Sequence, residues 1–495
     1  MKIFTSLLVF LALIFPAATP CLYAGKAPEA TEIVILHTND MHAKIDNMGK
    51  LAALAQSLRK THKYVFLVSA GDNFTGNPVV DMAKDKGYPM IDLMNHCGFN
   101  LSAIGNHEFD LGQKKLNARM RQAKFPFISC NIDASRAELK QPRPYAILKA
   151  GKIEIPVLGV IQLGHKGTPD SHPSKLKGLK FSQGLEKAKK YKWLKKKYGI
   201  LVGLTHLGVE GDELMAKAMP EFDLIIGGHS HTVITKPMMV GNVMIVQAGS
   251  GLKDVGMVTL RVQDGVVVDR SYKLIPLDSI KNSDQKVQAL VDKYNNNDTL
   301  DRIIGHAETP LEGMNELGSL MTDAITHRLK VDFAFQNMGG IRISSIPAGP
   351  IRLKDIYRLD PFGNRVVSHR MNAGEIKSLI CNSFDREKQL ELEVSGMTYT
   401  VLSGKDGTCK DVEMLDLSGK PLAEDKDYTV GMNSYISASF KFDHRDPGAS
   451  TYTTSDQALI DYLGEVKKVN YAGVNRISTR PAEKPVEKPV EKPAD

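Results

Sequence analysis

Leu101-Ser102-Ala103-Ile104-Gly105-Asn106-His107-Glu108-Phe109-Asp110 runs from a short β-rich segment, across one glycine, straight into a cluster of polar side chains. The same arrangement recurs along the first half of the chain. Ile33-Val34-Ile35-Leu36 leads into Thr38-Asn39-Asp40-Met41-His42, and Val65-Phe66-Leu67-Val68 into Gly71-Asp72-Asn73. Ile200-Leu201-Val202-Gly203 leads into Thr205-His206, and Leu224-Ile225-Ile226 into Gly227-Gly228-His229-Ser230-His231. Short apolar runs bounded by turn residues read as buried strands. Between them lie helical patterns at Leu51–Lys60 and Gly184–Lys197, the second with lysines on its wet face. Strands alternating with helices predict an α/β domain, and loops leaving the carboxyl ends of its strands are where ligands gather.

Working outward, residues 243–275 change to strands separated by turns, including Gln263-Asp264-Gly265. Residues 281–302 are polar with a helical pattern interrupted by Asn295-Asn296-Asn297-Asp298, which reads as an interdomain linker. A second α/β region spans 303–480. The tail, 481–495, repeats Glu-Lys-Pro-Val units that bury no core. At the other end, Met1-Lys2, the apolar run Ile3 to Phe15 and small residues up to Ala24 read as an export signal over 1–24, leaving a metal-site domain at 31–280. Cys21 is expected to leave with that signal, because Pro20 stands where a lipidated cysteine needs a small neighbour. The mature chain is therefore expected in a periplasm or outside the cell, with no membrane span.

Length and charge set broad limits. A chain of 495 residues is too long for one core and suits two or three domains. The net charge of +8, from 64 basic and 56 acidic residues, is compatible with an anionic substrate but makes no basic stripe of the kind that binds nucleic acid. An oxidising compartment permits disulfides among Cys97, Cys130, Cys381 and Cys409. Cys381 and Cys409 close a short loop and are the pair to test first, with four reduced thiols as the alternative.

Asp40, His42, Asp72, Asn106, His206, His229 and His231 offer carboxylate, amide and imidazole donors from five strand ends. Singly, each motif is weak; five together point to a metal centre. A carboxylate can span two cations about 3.5 Å apart, and neutral imidazoles hold borderline metals without adding charge. Such a pair lowers the pKa of bound water to about 7. His107 and Asp110, spaced i, i+3, share one side of a helical turn, where the carboxylate orients the ring and favours its protonated form.

These strings, from Thr-Asn-Asp-x-His to Gly-Gly-His-Ser-His-Thr, resemble the calcineurin-like metallophosphoesterases. They are most similar to the bacterial 5'-nucleotidase/UDP-sugar hydrolase branch. Asn337-Met338-Gly339-Gly340-Ile341-Arg342 and Asp360-Pro361-Phe362-Gly363-Asn364 extend the resemblance into the second region. It implies a four-layer β-sandwich flanked by helices, plus a C-terminal α/β substrate-binding domain, with the site in the cleft between them. It also implies that one metal is held by Asp40, His42 and His231, the other by Asn106, His206 and His229, with Asp72 bridging. The two divalent ions would be zinc or manganese. His107 with Asp110 would stabilise charge as the leaving group departs.

In that family the C-terminal domain stacks a base between aromatic side chains while arginines reach the phosphate. Arg342, Phe362 and Asn337 match those motifs, and Arg328 is a further candidate phosphate contact. The chain departs from its relatives after Asn433-Ser434-Tyr435, where a Gly-Gly-Asp-Gly-aromatic stretch is expected. It has Ser439-Phe440-Lys441-Phe442-Asp443 instead, so Phe440 or Phe442 is expected to supply the second ring, Phe442 being the choice. The implied reaction is hydrolysis of nucleoside 5'-monophosphates, small molecules rather than nucleic acid. UDP-sugar hydrolysis and 2',3'-cyclic phosphodiesterase/3'-nucleotidase activity are the near alternatives. A sulfur-compound hydrolase or a non-catalytic nucleotide-binding surface protein stands further off.

Overall fold

Strand Thr31–Thr38 is buried from Ile33 onward and lies third in a six-stranded sheet, between Asp254–Gln263 on one side and Val65–Ser69 on the other. Its pairing with Val65–Ser69 is parallel, and Leu101–Ala103 and Phe127–Ile128 continue that direction. In this computed structural model, which describes residues 30–482 other than 165, a second six-stranded sheet faces the first. Its parallel centre is Ile153–Ile161, Val202–His206, Leu224–Ile226 and Val243–Val246. The signal at 1–24, the tail beyond residue 482 and His165 lie outside the described residues.

Side chains alternate between faces along a strand, so a run apolar at every position must be covered on both sides. Ile33, Ile35, Val68 and Leu101 meet Val157, Val202, Leu204 and Ile226 of the opposing sheet in one buried layer. The intervening Leu36 and Leu67 face outward, packing with Leu51 and Ala55 of helix Met48–Thr61 and Leu93 of helix Tyr88–Cys97. Leu158, Val160, Leu201 and Ile225 do the same on the far side, against Met215 and Ala216 of helix Val209–Ala218. The result is the four-layer helix–sheet–sheet–helix arrangement.

The helix expected over 184–197 is broken into Gly184–Ala188 and Trp193–Tyr198 by a 3-10 turn at Lys189–Tyr191. Its lysines have only Glu186 as an acidic partner inside the segment, so a continuous helix would gain few favourable pairs one turn apart. The polar stretch after residue 280 forms helix Gln285–Asn295, capped by Asp284, whose carboxylate accepts from Val287 N at 2.9 Å. Val287 and Val291 are buried in the core of the first domain, and the Tyr294 hydroxyl donates to Asp92 at 2.7 Å. This helix is thus annexed to the first domain, and the chain crosses over through the short helix Asp298–Asp301.

The C-terminal region builds on a five-stranded sheet in the order Leu392–Ser395, Phe333–Asn337, Asp427–Asn433, Arg365–Asn372, Ala449–Thr454. Helix Ala373–Glu387 packs beside it, and a disulfide joins Cys381 on that helix to Cys409, the first residue of strand Cys409–Asp416. Cys97 and Cys130 are free and buried, and burial pushes both thiols up to about 12, so neither is a reactive nucleophile. Among the described residues, no helix is long and apolar enough to cross a membrane.

Candidate metal centre

The parallel strands of both sheets end at one edge, and the loops leaving them bend hard. Asp40, His42, Asp72, His229 and His231 all have positive φ, between 47° and 80°. This region is sparsely used by residues with a Cβ, and such strain collects at functional sites where the surrounding structure enforces it. Glycines make room beside them: a Cβ on Gly105 would collide with the Asp72 carboxylate.

The seven sequence-predicted donors converge. On one side, His42 Nε2 is 3.0 Å from His231 Nε2, which is 3.5 Å from Asp40 Oδ1. On the other, His206 Nε2 is 3.0 Å from Asp72 Oδ2 and 3.2 Å from Asn106 Oδ1, and His229 Nδ1 is 3.1 Å from the same amide oxygen. Asp72 belongs to both sides, its carboxylate lying with His42 and His107 in one group and with His206 and His229 in another.

The chemistry of these donors fits cations. His42 Nδ1 lies 3.0 Å from the Thr75 carbonyl and His206 Nδ1 2.8 Å from the Ala70 carbonyl. Each Nδ1 is thus placed to donate to a carbonyl, and each Nε2 faces inward, towards the other imidazoles and carboxylates. Burial, then the neighbouring His107 and Arg342 charges, hold His42 well below the usual histidine range; burial and His206 bring His229 to about 4. Both are neutral donors. Burial works against a charge on His206 as well, yet Asp72 and Asp40 raise it to about 10. That is a negative field strong enough to demand positive charge, which divalent ions provide.

His107 stands at the start of the 3-10 turn His107–Leu111, with Nδ1 2.6 Å from Asp110 Oδ2 and Nε2 4.0 Å from Asp72 Oδ2. Burial opposes its charge, but Asp72 and Asp110 outweigh burial and keep it above the usual histidine value. Asp110 is held in turn by the hydroxyls of Thr75 at 3.0 Å and Ser171 at 3.2 Å.

Several residues with work at this centre have no role in the sequence reading. Glu108 is fully buried and accepts from the backbone N–H of Asp72, Asn73 and Gly105 and from the Asn73 amide, at 2.6–3.0 Å. One carboxylate thus ties two ligand loops together; its place inside the Asn-His-Glu-Phe-Asp string was the available signal. Asn39 fixes Asp40, donating to its carboxylate at 2.7 Å and to Gly249 O at 2.6 Å. Asp170 comes from a Gly/Pro-rich loop, with its carboxylate 3.9 Å from His229 Nε2 and its carbonyl accepting from Asn106 Nδ2 at 3.1 Å. Nothing in the spacing of that loop announces it.

The C-terminal region leans over this edge. Arg342 Nη2 is 3.5 Å from the His42 ring nitrogens, and its guanidinium lies 5.8 Å from the centre of the Phe362 ring. Phe362 in turn stacks on His107 at 5.9 Å and 28°. Asn337 is buried and accepts from Asn433 Nδ2 at 3.0 Å, a contact within its own domain at the base of the loop carrying Arg342. The stacking role expected of Phe442 fails: its ring is 7 % exposed, tilted against His444 at 4.6 Å and edge-on to His369 at 6.0 Å in the domain core. Phe440 is also buried but supports Arg386, stacked over it at 3.9 Å, and Arg386 is the cation acting most strongly on the Asp170 carboxylate. Arg328 is remote from the centre, at the end of helix Gly313–Leu329 and 3.4 Å from Asp461.

A two-sheet sandwich with carboxylate-bridged imidazole clusters at one edge defines the metallophosphoesterase class. Residues 33–233 match the calcineurin-like phosphoesterase family, and residues 303–441 match the 5'-nucleotidase C-terminal domain. The chain belongs to the calcineurin-like phosphoesterases that carry a 5'-nucleotidase C-terminal domain. It is 28 % identical to the 5'-nucleotidase of Vibrio cholerae over 83 % of this chain and 86 % of that one. It is 25 % identical to the endonuclease YhcR of Bacillus subtilis over 83 % of this chain; there it spans only 37 % of a much longer relative. The crystal structure of a 5'-nucleotidase precursor from Thermus thermophilus superposes with a TM-score of 0.79 at 25 % identity, covering 92 % of this chain and all of the other.

Proposed function

We propose that this chain is an exported phosphohydrolase that releases phosphate from nucleotides at a two-metal centre, with nucleoside 5'-monophosphates as its main substrates. In this reading zinc or manganese ions are held by Asp40, His42 and His231 on one side and by Asn106, His206 and His229 on the other. The observation that carries it is the position of Asp72, whose carboxylate is shared between the two imidazole groups. When bound, the ions supply Lewis-acid charge for phosphoryl oxygens and activate a water.

The chain's own residues do the rest. Neutral His42 and His229 keep a lone pair free for a cation and add no charge of their own to the site. His107, kept protonated by Asp72 and Asp110, offers a hydrogen bond and a positive charge to the transferring phosphoryl group. Arg342 supplies a second cation from the opposite wall, and Phe362 gives one flat surface for a base. With Phe442 withdrawn into the core, a second stacking face falls to a rearranged Phe440 loop or is absent, which keeps nucleotide sugars and cyclic nucleotides in the test panel.

The test is phosphate release from nucleoside monophosphates, nucleotide sugars and 2',3'-cyclic nucleotides, with and without chelator. We expect monophosphates to be cleaved best, EDTA to abolish turnover, and His206→Ala to lower it by at least about a thousandfold. Activity surviving His206→Ala in EDTA would sink the two-metal mechanism.

A further inference from the structure

Ten lysines and one acid, Glu186, stand between Lys175 and Lys197, so this stretch alone outweighs the net charge of +8 carried by the whole chain. Seven of the ten fall in the run Lys187-Ala188-Lys189-Lys190-Tyr191-Lys192-Trp193-Leu194-Lys195-Lys196-Lys197. The fold fixes how they are displayed. Ala188 and Leu194 are buried with Leu158, Val160 and Leu201 on the outer face of the second sheet, which pins the segment at two points. In helix Trp193–Tyr198, Lys196 and Lys197 follow Trp193 at i+3 and i+4, so the three share the face turned away from Leu194. All three are exposed, as are Lys189 and Lys190 on the preceding 3-10 turn.

Acids neutralise only part of this surface. Lys189, Lys192 and Lys195 pair with Glu186, Glu221 and Asp223 at 2.7–2.8 Å. Lys190 and Lys196 make no ion pair or side-chain hydrogen bond with another described residue. Lys197 lays its ammonium over the rings of Tyr198 and Trp193, 4.9 and 5.9 Å from their centres. Trp193 is 45 % exposed and stands edge-on to Tyr145 at 6.1 Å, with Tyr191 against the same tyrosine at 6.0 Å. A large ring is thus held at the surface by other rings, among lysines. Tryptophan and tyrosine settle at the headgroup level of a bilayer, and lysines beside them are drawn to anionic lipid. The run contains no arginine, the residue whose planar fork grips single phosphates of a nucleic acid, and it lies on the outer side of a helix rather than in a groove. Helix Trp193–Tyr198 leads through Gly199 to the amino end of strand Val202–His206, whereas the ligand His206 stands at the carboxyl end. A surface docked on the patch leaves the metal edge open.

We propose that this patch docks the protein peripherally on an anionic lipid surface, with Trp193 entering the headgroup region and Lys190, Lys196 and Lys197 meeting the lipid phosphates. The protein then lies on a membrane without crossing it, and its metal edge stays turned to the solvent. Nothing in this docking depends on the reaction at the metal centre.

Trp193 is the only tryptophan in the chain, so its emission reports on the patch directly. The mature chain, residues 25–495, is mixed with vesicles of phosphatidylcholine containing phosphatidylglycerol and, separately, with pure phosphatidylcholine. Sedimentation with the anionic vesicles alone is expected, together with a blue shift of the tryptophan emission. Both should vanish in about 1 M salt, where the screening length falls to about 3 Å. A Lys190→Gln/Lys196→Gln/Lys197→Gln variant should partition about a hundredfold more weakly, as the loss of three lysines near an anionic surface implies. Its turnover of a soluble nucleotide should stay within roughly twofold of wild type, an ordinary effect for surface changes away from a site. Trp193→Ala gives a second variant should the first fold poorly; it should bind more weakly while keeping the salt dependence. Absence of binding to anionic vesicles overturns the proposal, as does binding that neither variant weakens or that leaves the emission unmoved. Retention of a DNA duplex but of no vesicle overturns it too and assigns the patch to nucleic acid. None of these outcomes bears on nucleotide hydrolysis, which the chelator experiment tests separately.

Discussion

His107 does not join the metal-holding sets as assigned, yet it is hydrogen-bonded to Asp110 and faces Asp72 across 4.0 Å. Replacing it with glutamine keeps a hydrogen-bond donor but removes the positive charge. Turnover of His107→Gln is expected to fall about 10²–10⁴-fold, the usual contribution of a positioned acid, with the metal content unchanged by elemental analysis. Loss of metal along with activity would instead make His107 a ligand. Glu393 shows the opposite use of burial. It is 0 % exposed with both carboxylate oxygens unpartnered, and burial raises it from 4.5 to about 8. Between those values the native state keeps a proton that the unfolded chain releases, so stability falls as pH rises. Glu393→Gln removes that slope. Its unfolding free energy relative to wild type should be near zero at pH 5 and should climb by on the order of a few kcal/mol by pH 8 in urea melts. At this scale the ligands were legible because each follows an apolar run by a few positions. Glu108 and Asp170 were not, since the contacts that tie them to the other ligand loops, Glu108 to Asn73 and Asp170 to Asn106 and His229, span 35 or more residues and only the fold brings them near.

The strands could be read from runs of apolar residues, and the ligand-bearing loops from the glycines that break those runs. Where charge rather than burial governs, the reading failed, as in the lysine-rich segment broken at Lys189–Tyr191. Parity along the chain was the other failure. Phe440 and Phe442 are two apart and both are buried, and no pattern shows which supports the cleft. The disulfide between helix Ala373–Glu387 and strand Cys409–Asp416 closes a separation of 28 residues. In the chain-entropy picture such a loop is worth about 3–4 kcal/mol. A Cys381→Ala/Cys409→Ala double variant should lower the melting temperature of the C-terminal domain, while metal binding and the first domain's unfolding stay as they were. A single melting step that shifts as one unit would show instead that the two domains unfold together.

Both domains' motifs can be read from the sequence, but their contact cannot, because it depends on how the chain crosses at Asp298–Asp301. In the structure the C-terminal domain covers the metal edge. Arg342 reaches His42, Phe362 lies on His107, and the Lys166 ammonium donates to Ala438 O at 3.1 Å. A ligand seated between Phe362 and the metal-binding residues must enter and leave across this cover. Its contacts are a cation near an imidazole, one ring stack and an exposed hydrogen bond, each individually weak. Opening by movement of one domain about the crossing is therefore inexpensive compared with unfolding either core. Joining Lys166→Cys to Ala438→Cys with a short bis-maleimide, while the buried Cys97 and Cys130 stay unreactive, should suppress turnover well beyond the effect of either modified cysteine alone. The metal content should not change, and cleaving the linker should restore activity. If the cross-linked protein turns over at the full rate, substrate reaches the metals without domain movement, and the closed arrangement is the working one throughout.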